Sequence, residues 1–253
     1  MLQMVVLTAL AMLLVPGVAF AELIDLEGRY WFTDLKASIK AKSDSIPGTD
    51  IDFHDDLGLQ SEDAPELRLT LWAGPASRIR LAYTHLNFDG DKTLGRTVTF
   101  EGDTFTANTR VVTDLEIHYA RVGWLWQPLA IPGILRFGGL LEAKGFFIEA
   151  ELQTRAVSPR VKENVVFPLV LPTIGLALDV TPHRMFQLFA EASGLPAGDL
   201  GHIVDAEAGL RFIPLRLVTF SAGYRIFDIR AGENNDFAKL RISGPFVGAS
   251  VRF

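Results

Sequence analysis

The sequence contains no cysteine. A disulfide framework and a thiolate metal centre are therefore excluded. It also lacks any run of lysine and arginine, and its 253 residues carry a net charge of −6. That balance argues against a nucleic-acid partner, which would require a concentrated basic footprint. Beyond residue 21 there is no apolar run long enough for a membrane helix. The longest uncharged stretch, residues 164–178, is interrupted by Pro168 and Pro172. It falls short of the roughly 18–20 residues needed to cross hydrocarbon as a helix.

The first 21 residues, MLQMVVLTALAMLLVPGVAFA, are uncharged and apolar and end in Ala19-Phe20-Ala21. Small residues at −3 and −1 suit a signal peptidase, so residues 1–21 are expected to be a signal peptide cleaved after Ala21, although the usual basic n-region is missing. Residues 22–253 are then expected to form a single exported domain.

Within that domain the hydrophobic period is two. In IVDAEAGLRFI (203–213), Val204, Ala206, Ala208 and Leu210 share one face and Asp205, Glu207 and Arg211 the other. ELRLTLW (66–72), LRFGGLLEAKGFF (135–147) and TIGLALDV (173–180) alternate in the same way. About ten strands result, near 26–40, 65–73, 77–89, 112–126, 134–151, 168–181, 185–194, 203–213, 217–230 and 237–253. Their connections alternate between short turns (73–76, 127–133, 181–184 and 213–216) and stretches that are mostly longer and polar (41–64, 90–111 and 154–165). Trp31, Trp72, Trp124 and Trp126 are all expected toward the short-turn end, where indoles favour a membrane interface. Short turns on one side and long loops on the other are the pattern of a membrane-spanning β-barrel.

The chain closes on FVGASVRF (246–253), apolar at Val247, Ala249, Val251 and Phe253. This ending resembles the sorting signal of bacterial outer-membrane β-barrel proteins. Together with the strand and loop pattern, the likeness extends over the whole of residues 22–253, and the hairpin around TVTFEGDTFTANTRV is similar to that of small barrels of Gram-negative bacteria. The resemblance implies an all-β fold: a closed antiparallel transmembrane barrel of about ten strands with short periplasmic turns and longer extracellular loops. It also implies residence in the bacterial outer membrane, recognition by the barrel-assembly machinery during insertion, and outer-membrane lipids and lipopolysaccharide as surroundings. It carries no activity with it.

Two places break the alternation. Leu240 and Ile242 are apolar in one phase and Val247 onward in the other, which suggests a bulge or kink at Gly244-Pro245. In DLEIHYARVGWLW (114–126) the phase changes near Ala120-Arg121. That change reads either as a bulge or as an upper half that stands above the membrane.

Inward positions carry charges of both signs: Glu66, Arg68, Arg80, Arg136, Glu142, Lys144, Asp179, Glu191, Asp205, Glu207, Arg211 and Arg225, with Lys239 and Arg241 further along. A ten-stranded bore is narrow, and such a set can interlock and plug it. A small non-enzymatic barrel serving surface interaction or membrane integrity is therefore the leading expectation. A narrow porin-like channel for a small polar or apolar solute is the alternative, and an outer-rim hydrolase the third. The hydrolase reading looks to His85, Asp114 and His118, since omptin-type proteases, also of about ten strands, use Asp and His at the outer rim. Ser193, Ser221 and Ser243 have no histidine at a suggestive spacing. In the first outer loop Asp50, Asp52, Asp55 and Asp56 are candidate ligands for Ca²⁺ or Mg²⁺. The sequence implies no cofactor and does not specify an oligomeric state.

Overall fold

A computed structural model describes residues 24–40, 49–60, 62–100, 103–105, 107–154, 162–196, 198, 201–233 and 236–253. The expected signal peptide lies outside them. The elements are β1 (Ile24–Trp31), β2 (Asp34–Lys40), β3 (Ile51–Asp52), β4 (Ala64–Trp72), β5 (Ser77–Thr93), β6 (Val98–Phe100), β7 (Asp103–Phe105), β8 (Arg110–Ile131), β9 (Leu135–Thr154), β10 (Lys162–His183), β11 (Phe186–Pro196), β12 (Gly201–Leu215), β13 (Val218–Glu233) and β14 (Asp236–Arg252).

Neighbours along the chain pair antiparallel, and β14 returns to pair with β1, so the sheet has no free edge. β1 and β2 are two parts of one span: Trp31 faces Phe246 and Asp34 faces Ser243 on the same strand. With β4, β5 and β8 to β14 they make a closed ten-strand antiparallel barrel. Closure is what lipid demands, because each backbone group left unpaired in hydrocarbon costs several kcal/mol. The turns at 73–76, 132–134, 184–185 and 216–217 mark the periplasmic end. β6 and β7 form a small hairpin beyond the far ends of β5 and β8.

The bulge or kink expected at Gly244-Pro245 is absent, and so is the bulge that was one of the two readings at Ala120-Arg121. The ladder between β13 and β14 runs in one register from Val218 opposite Val251 to Glu233 opposite Asp236, straight past Gly244 and Pro245. Only the opposing strand lapses, at Phe32–Thr33, and it resumes in register; Phe32 N still donates to Pro245 O at 3.0 Å. A Cβ at Gly244 would collide with the Phe32 carbonyl, which accounts for glycine there. Along β8 the odd-numbered residues point inward from Val111 to Gln127, and the ladder to β5 is unbroken from Trp126 to Arg110. The shift that does occur on β8 lies lower, between Trp126 and Leu129, against β9.

What changes along these strands is the surroundings, not the backbone. In the lower part, Leu67, Leu81, Val122, Leu141 and Ile174 point out and are exposed, while charged side chains point in. In the upper part, Leu86, Phe88, Leu115, Ile117, Tyr119, Phe146 and Phe227 point in and are buried. There Asp89, Asp114, Glu149, Arg230, Lys239 and Arg241 point out and are exposed. Lys239 and Arg241 are therefore on the outer wall, not in the lumen. A strand's side-chain period is fixed at two, so its apolar phase inverts where the exterior passes from lipid to water.

The upper interior is a packed core. Tyr119 stacks on Phe146 at 4.5 Å between centroids, and Phe227 lies 5.4 and 5.5 Å from the two rings. The first outer loop adds Leu57 and Leu59, both buried in the same cluster. Leu59 bridges to Gly90, and a Cβ at Gly90 would sit 2.7 Å from Leu57 O, so the loop can close down only over a glycine. The tryptophans divide. Trp124 and Trp126 are half-exposed on the lower outer wall as expected, but Trp31 is 2% exposed and points inward, and Trp72 lies under the Arg78, Arg136 and Arg252 guanidiniums.

The core above the ion pairs makes a quantitative expectation. Phe227→Ala empties the space beside the Tyr119–Phe146 stack and lowers stability by about 3–5 kcal/mol, measured by urea unfolding from lipid vesicles. Phe147→Ala, on the outer wall, lowers it by far less.

Candidate functional site

The lower bore is a network of ion pairs in layers. At its centre stands Glu66, on β4. Its carboxylate accepts from Arg121 at 2.6 Å, Arg225 at 2.7 Å, Thr84 at 2.9 Å and Arg68 at 3.0 Å. Arg68 also donates to both oxygens of Glu207, each at 3.0 Å, and Arg29 donates to the same carboxylate at 3.1 Å. Asp205 accepts from Arg225 at 2.9 and 3.0 Å, from Lys144 at 2.8 Å and from the Tyr119 hydroxyl at 2.9 Å. Lys144 reaches Glu142 at 2.7 Å, and Ser193 Oγ donates to Glu142 at 2.6 Å.

Nearer the periplasmic mouth, Asp179 holds Arg78, Arg211 and Arg136 at 3.0, 3.0 and 3.2 Å, and Glu191 accepts from Arg80 at 2.8 Å. Aromatic faces cover the cations: Arg225 lies 4.7 Å from the Trp31 ring and Arg211 3.9 Å from Phe189. A cavity of about 60 Å³ remains among Arg78, Arg80, Arg136, Arg211 and Trp72, with room for a few waters. The Glu66, Glu207 and Asp205 side chains are almost completely buried, where an unpaired charge would be very costly.

Twelve of the expected lumen charges, from Glu66 and Arg68 through Arg225, lie in this network, whereas Lys239 and Arg241 stand on the outer wall. Glu27, Arg29, Arg78 and Arg121 belong to it as well, although sequence reading passed them over. Arg78 is in phase with Arg80, and Glu27 and Arg29 are in phase with each other, so strict alternation would have found these three. Arg121 was hidden by the apparent phase change at Ala120-Arg121.

The acidic loop is arranged differently from the expected cation site. Asp52 Oδ1 accepts from the backbone of His54 and Asp55, each at 2.9 Å. Asp56 is paired with Arg96 at 2.6 Å, and Arg96 also donates to the Asp50 carbonyl at 2.6 Å. The Arg96 hydrogen bond holds the Asp56 carboxyl below its ordinary value of 3.8. Among the described residues, Asp50, Asp52, Asp55 and Asp56 are not part of any group of three carboxylate or imidazole ligands within 4.8 Å of one another; the group that meets that test is His85, Glu116 and His118. Those histidines lie on the outward face of β5 and β8, so the rim histidines do not look into the barrel. Ser193 and Ser221 are engaged inside it, with Glu142 and Glu27. Val247, Ala249, Val251 and Phe253 form an outward apolar row on the strand that closes the barrel.

No protein-family model matches the chain, and no curated protein matches its sequence. Solved structures do resemble it. The outer membrane protease OmpT from Escherichia coli matches at 8% identity over 94% of this chain and 99% of that chain, with a TM-score of 0.62. The translocator domain of the autotransporter NalP from Neisseria meningitidis matches at 11% identity over 100% and 95%, with a TM-score of 0.48. Neisserial surface protein A matches at 12% over 91% and 97%, with a TM-score of 0.35. The OmpT likeness establishes the barrel fold and nothing of its chemistry. The closed sheet, apolar belt and loop asymmetry define a bacterial outer-membrane β-barrel.

Glu66 is the anion on which most cations converge, so its loss is the sharpest test of the network. Glu66→Gln leaves Arg68, Arg121 and Arg225 short of a counter-charge and lowers stability by about 3–5 kcal/mol in urea unfolding. Glu149→Gln on the outer wall changes it by no more than about 0.5 kcal/mol.

Proposed function

We propose that the chain is a non-enzymatic outer-membrane barrel that carries its water-exposed upper part and loops at the cell surface, with a bore closed by its own side chains. The observation that carries this reading is the convergence of Arg29, Arg68, Arg121 and Arg225 on Glu66, Asp205 and Glu207 across the lumen. Each charge already has a partner, and the aromatic layer around Tyr119, Phe146 and Phe227 fills the bore directly above. Wider barrels of 16–18 strands keep water in this space; here side chains occupy it.

The outer wall supports a role in membrane integrity. Arg241 lies opposite Lys36 on β2, and Lys239 lies opposite Arg230 on β13. These four cations stand just above the apolar row that begins at Pro245, and guanidinium and ammonium groups there would suit the phosphates of lipopolysaccharide. The row Val247, Ala249, Val251 and Phe253 on the closing strand supports recognition by the barrel-assembly machinery.

Planar-bilayer recording of the refolded barrel tests the closed bore. The expected result is no unitary current steps while heat-dependent gel mobility shows a folded barrel. Discrete, reproducible steps would transfer the reading to a narrow channel.

A further inference from the structure

We propose that His85, Glu116 and His118 bind one divalent transition-metal ion of the zinc class on the outer wall of the barrel, at the upper edge of its apolar belt. The three residues sit on one face of the β5–β8 ladder. His85 is directly opposite His118, and Glu116 lies two residues further along β8. The imidazole planes are nearly parallel, at 9°, with centroids 4.9 Å apart. Glu116 Oε1 is 2.7 Å from His85 Nε2 and 3.2 Å from His118 Nε2. An isolated Glu–His ion pair would use one imidazole. Here the Nε2 atoms of two histidines converge on the same carboxylate oxygen.

That arrangement is close to a coordination shell. One ligand atom from each residue lies within 4.8 Å of the others. A tetrahedral zinc ion with bonds of about 2.0–2.1 Å separates its ligands by roughly 3.4 Å, so a small rotation of the half-exposed Glu116 side chain admits the ion. Two imidazoles and one carboxylate suit zinc, nickel or copper over magnesium or calcium. All three ligand residues come from the strands themselves, which place them more rigidly than a loop would.

Tyr83 supplies the outer contact. Its hydroxyl oxygen is 2.7 Å from His118 Nδ1. A neutral His118 that coordinates through Nε2 carries its proton on Nδ1 and donates it to Tyr83 Oη. That bond fixes both tautomer and ring orientation, as outer-shell partners of metal-bound histidines do. Tyr83 is thus a positioning residue. Glu149, opposite Glu116 on β9, and Asp89 on the outward face of β5 add negative charge nearby. Tyr83 and Phe147, 47% and 54% exposed, sit beneath and beside the site, which places it where the apolar belt meets water. The three side chains reach outward, away from the ion pairs of the bore, so this site is independent of the closed lumen.

The test is a Co²⁺ titration of the untagged, folded barrel in detergent, followed in the visible spectrum, with Zn²⁺ as competitor. The expected result is one Co²⁺ per chain in a tetrahedral spectrum, displaced by Zn²⁺. His85→Ala and Glu116→Gln each weaken binding by at least about tenfold, and Tyr83→Phe weakens it by about tenfold with the spectrum's shape retained. Heat-dependent gel mobility checks folding. Should a variant not fold, protection of His85 and His118 from diethyl pyrocarbonate by Zn²⁺ in the unmodified protein, read by mass spectrometry, gives the same answer. The proposal is overturned by the absence of stoichiometric binding tighter than about 100 μM, by binding that survives loss of both histidines, or by no Zn²⁺ protection.

Discussion

Pairing of β14 with β1 is the contact on which the rest of the structure depends. It removes the last sheet edge, and with it the backbone groups that hydrocarbon could not solvate. It also fixes the circumference, so ten strands enclose a bore of one size and every second residue must fill it. The seam is held through its length: Asp25 to Trp31 pair with Arg252 to Phe246, and Asp34 to Lys40 continue with Ser243 to Phe237. Pro245, which has no N–H to donate, sits at the one place where the ladder lapses, and the carbonyl of that residue is still used by Phe32.

Within that frame, one backbone pattern serves two solvents. The lower barrel faces lipid and stores its polar groups inside; the upper barrel faces water and stores its apolar groups inside. The junction runs through Tyr119, whose ring stacks on Phe146 in the apolar layer while its hydroxyl donates to Asp205 in the charged one. Tyr119 is therefore the side chain that joins the two interiors. Buried ion pairs are stabilising only when the set is complete, which explains why these carboxylates accept several donors at once. Alternating charge also keeps each lower strand from becoming a continuous apolar run of helix-spanning length.

The fold was largely legible from the sequence because ten long alternating segments and a regular sequence of short and long connections leave few alternatives. Twelve of the fourteen inward charges expected from alternation lie in the bore for the same reason. The errors share one cause. At Gly244-Pro245 a change of apolar phase reads as a change of register, when the register holds and the exterior changes from lipid to water, and that reading places Lys239 and Arg241 inside. At Ala120-Arg121 the sequence leaves a bulge and an upper half above the membrane both open, so Arg121 stays unassigned, and the unbroken ladder fits the second. Trp31 was assigned to the membrane interface by residue type, yet its parity with Glu27 and Arg29 puts it in the lumen. The His85–Glu116–His118 group depends on the β5–β8 register, which periodicity does not supply. Of the four acidic-loop residues expected as ligands, Asp52 and Asp56 have their carboxylates engaged by the loop backbone and by Arg96 in the fold.

The central claim is that polarity inverts along an unbroken strand. Because the chain has no cysteine, single nitroxide labels can be placed without background on the outward positions of β8: Trp126, Trp124, Val122, Ala120, His118, Glu116 and Asp114. Collision with oxygen and with a water-soluble nickel chelate should be read for each in lipid vesicles. The account predicts oxygen-dominated collision from Trp126 to Ala120 and chelate-dominated collision from His118 to Asp114. Lipid-like accessibility extending to Asp114, or an exchange of inward and outward behaviour at Ala120-Arg121, would contradict it.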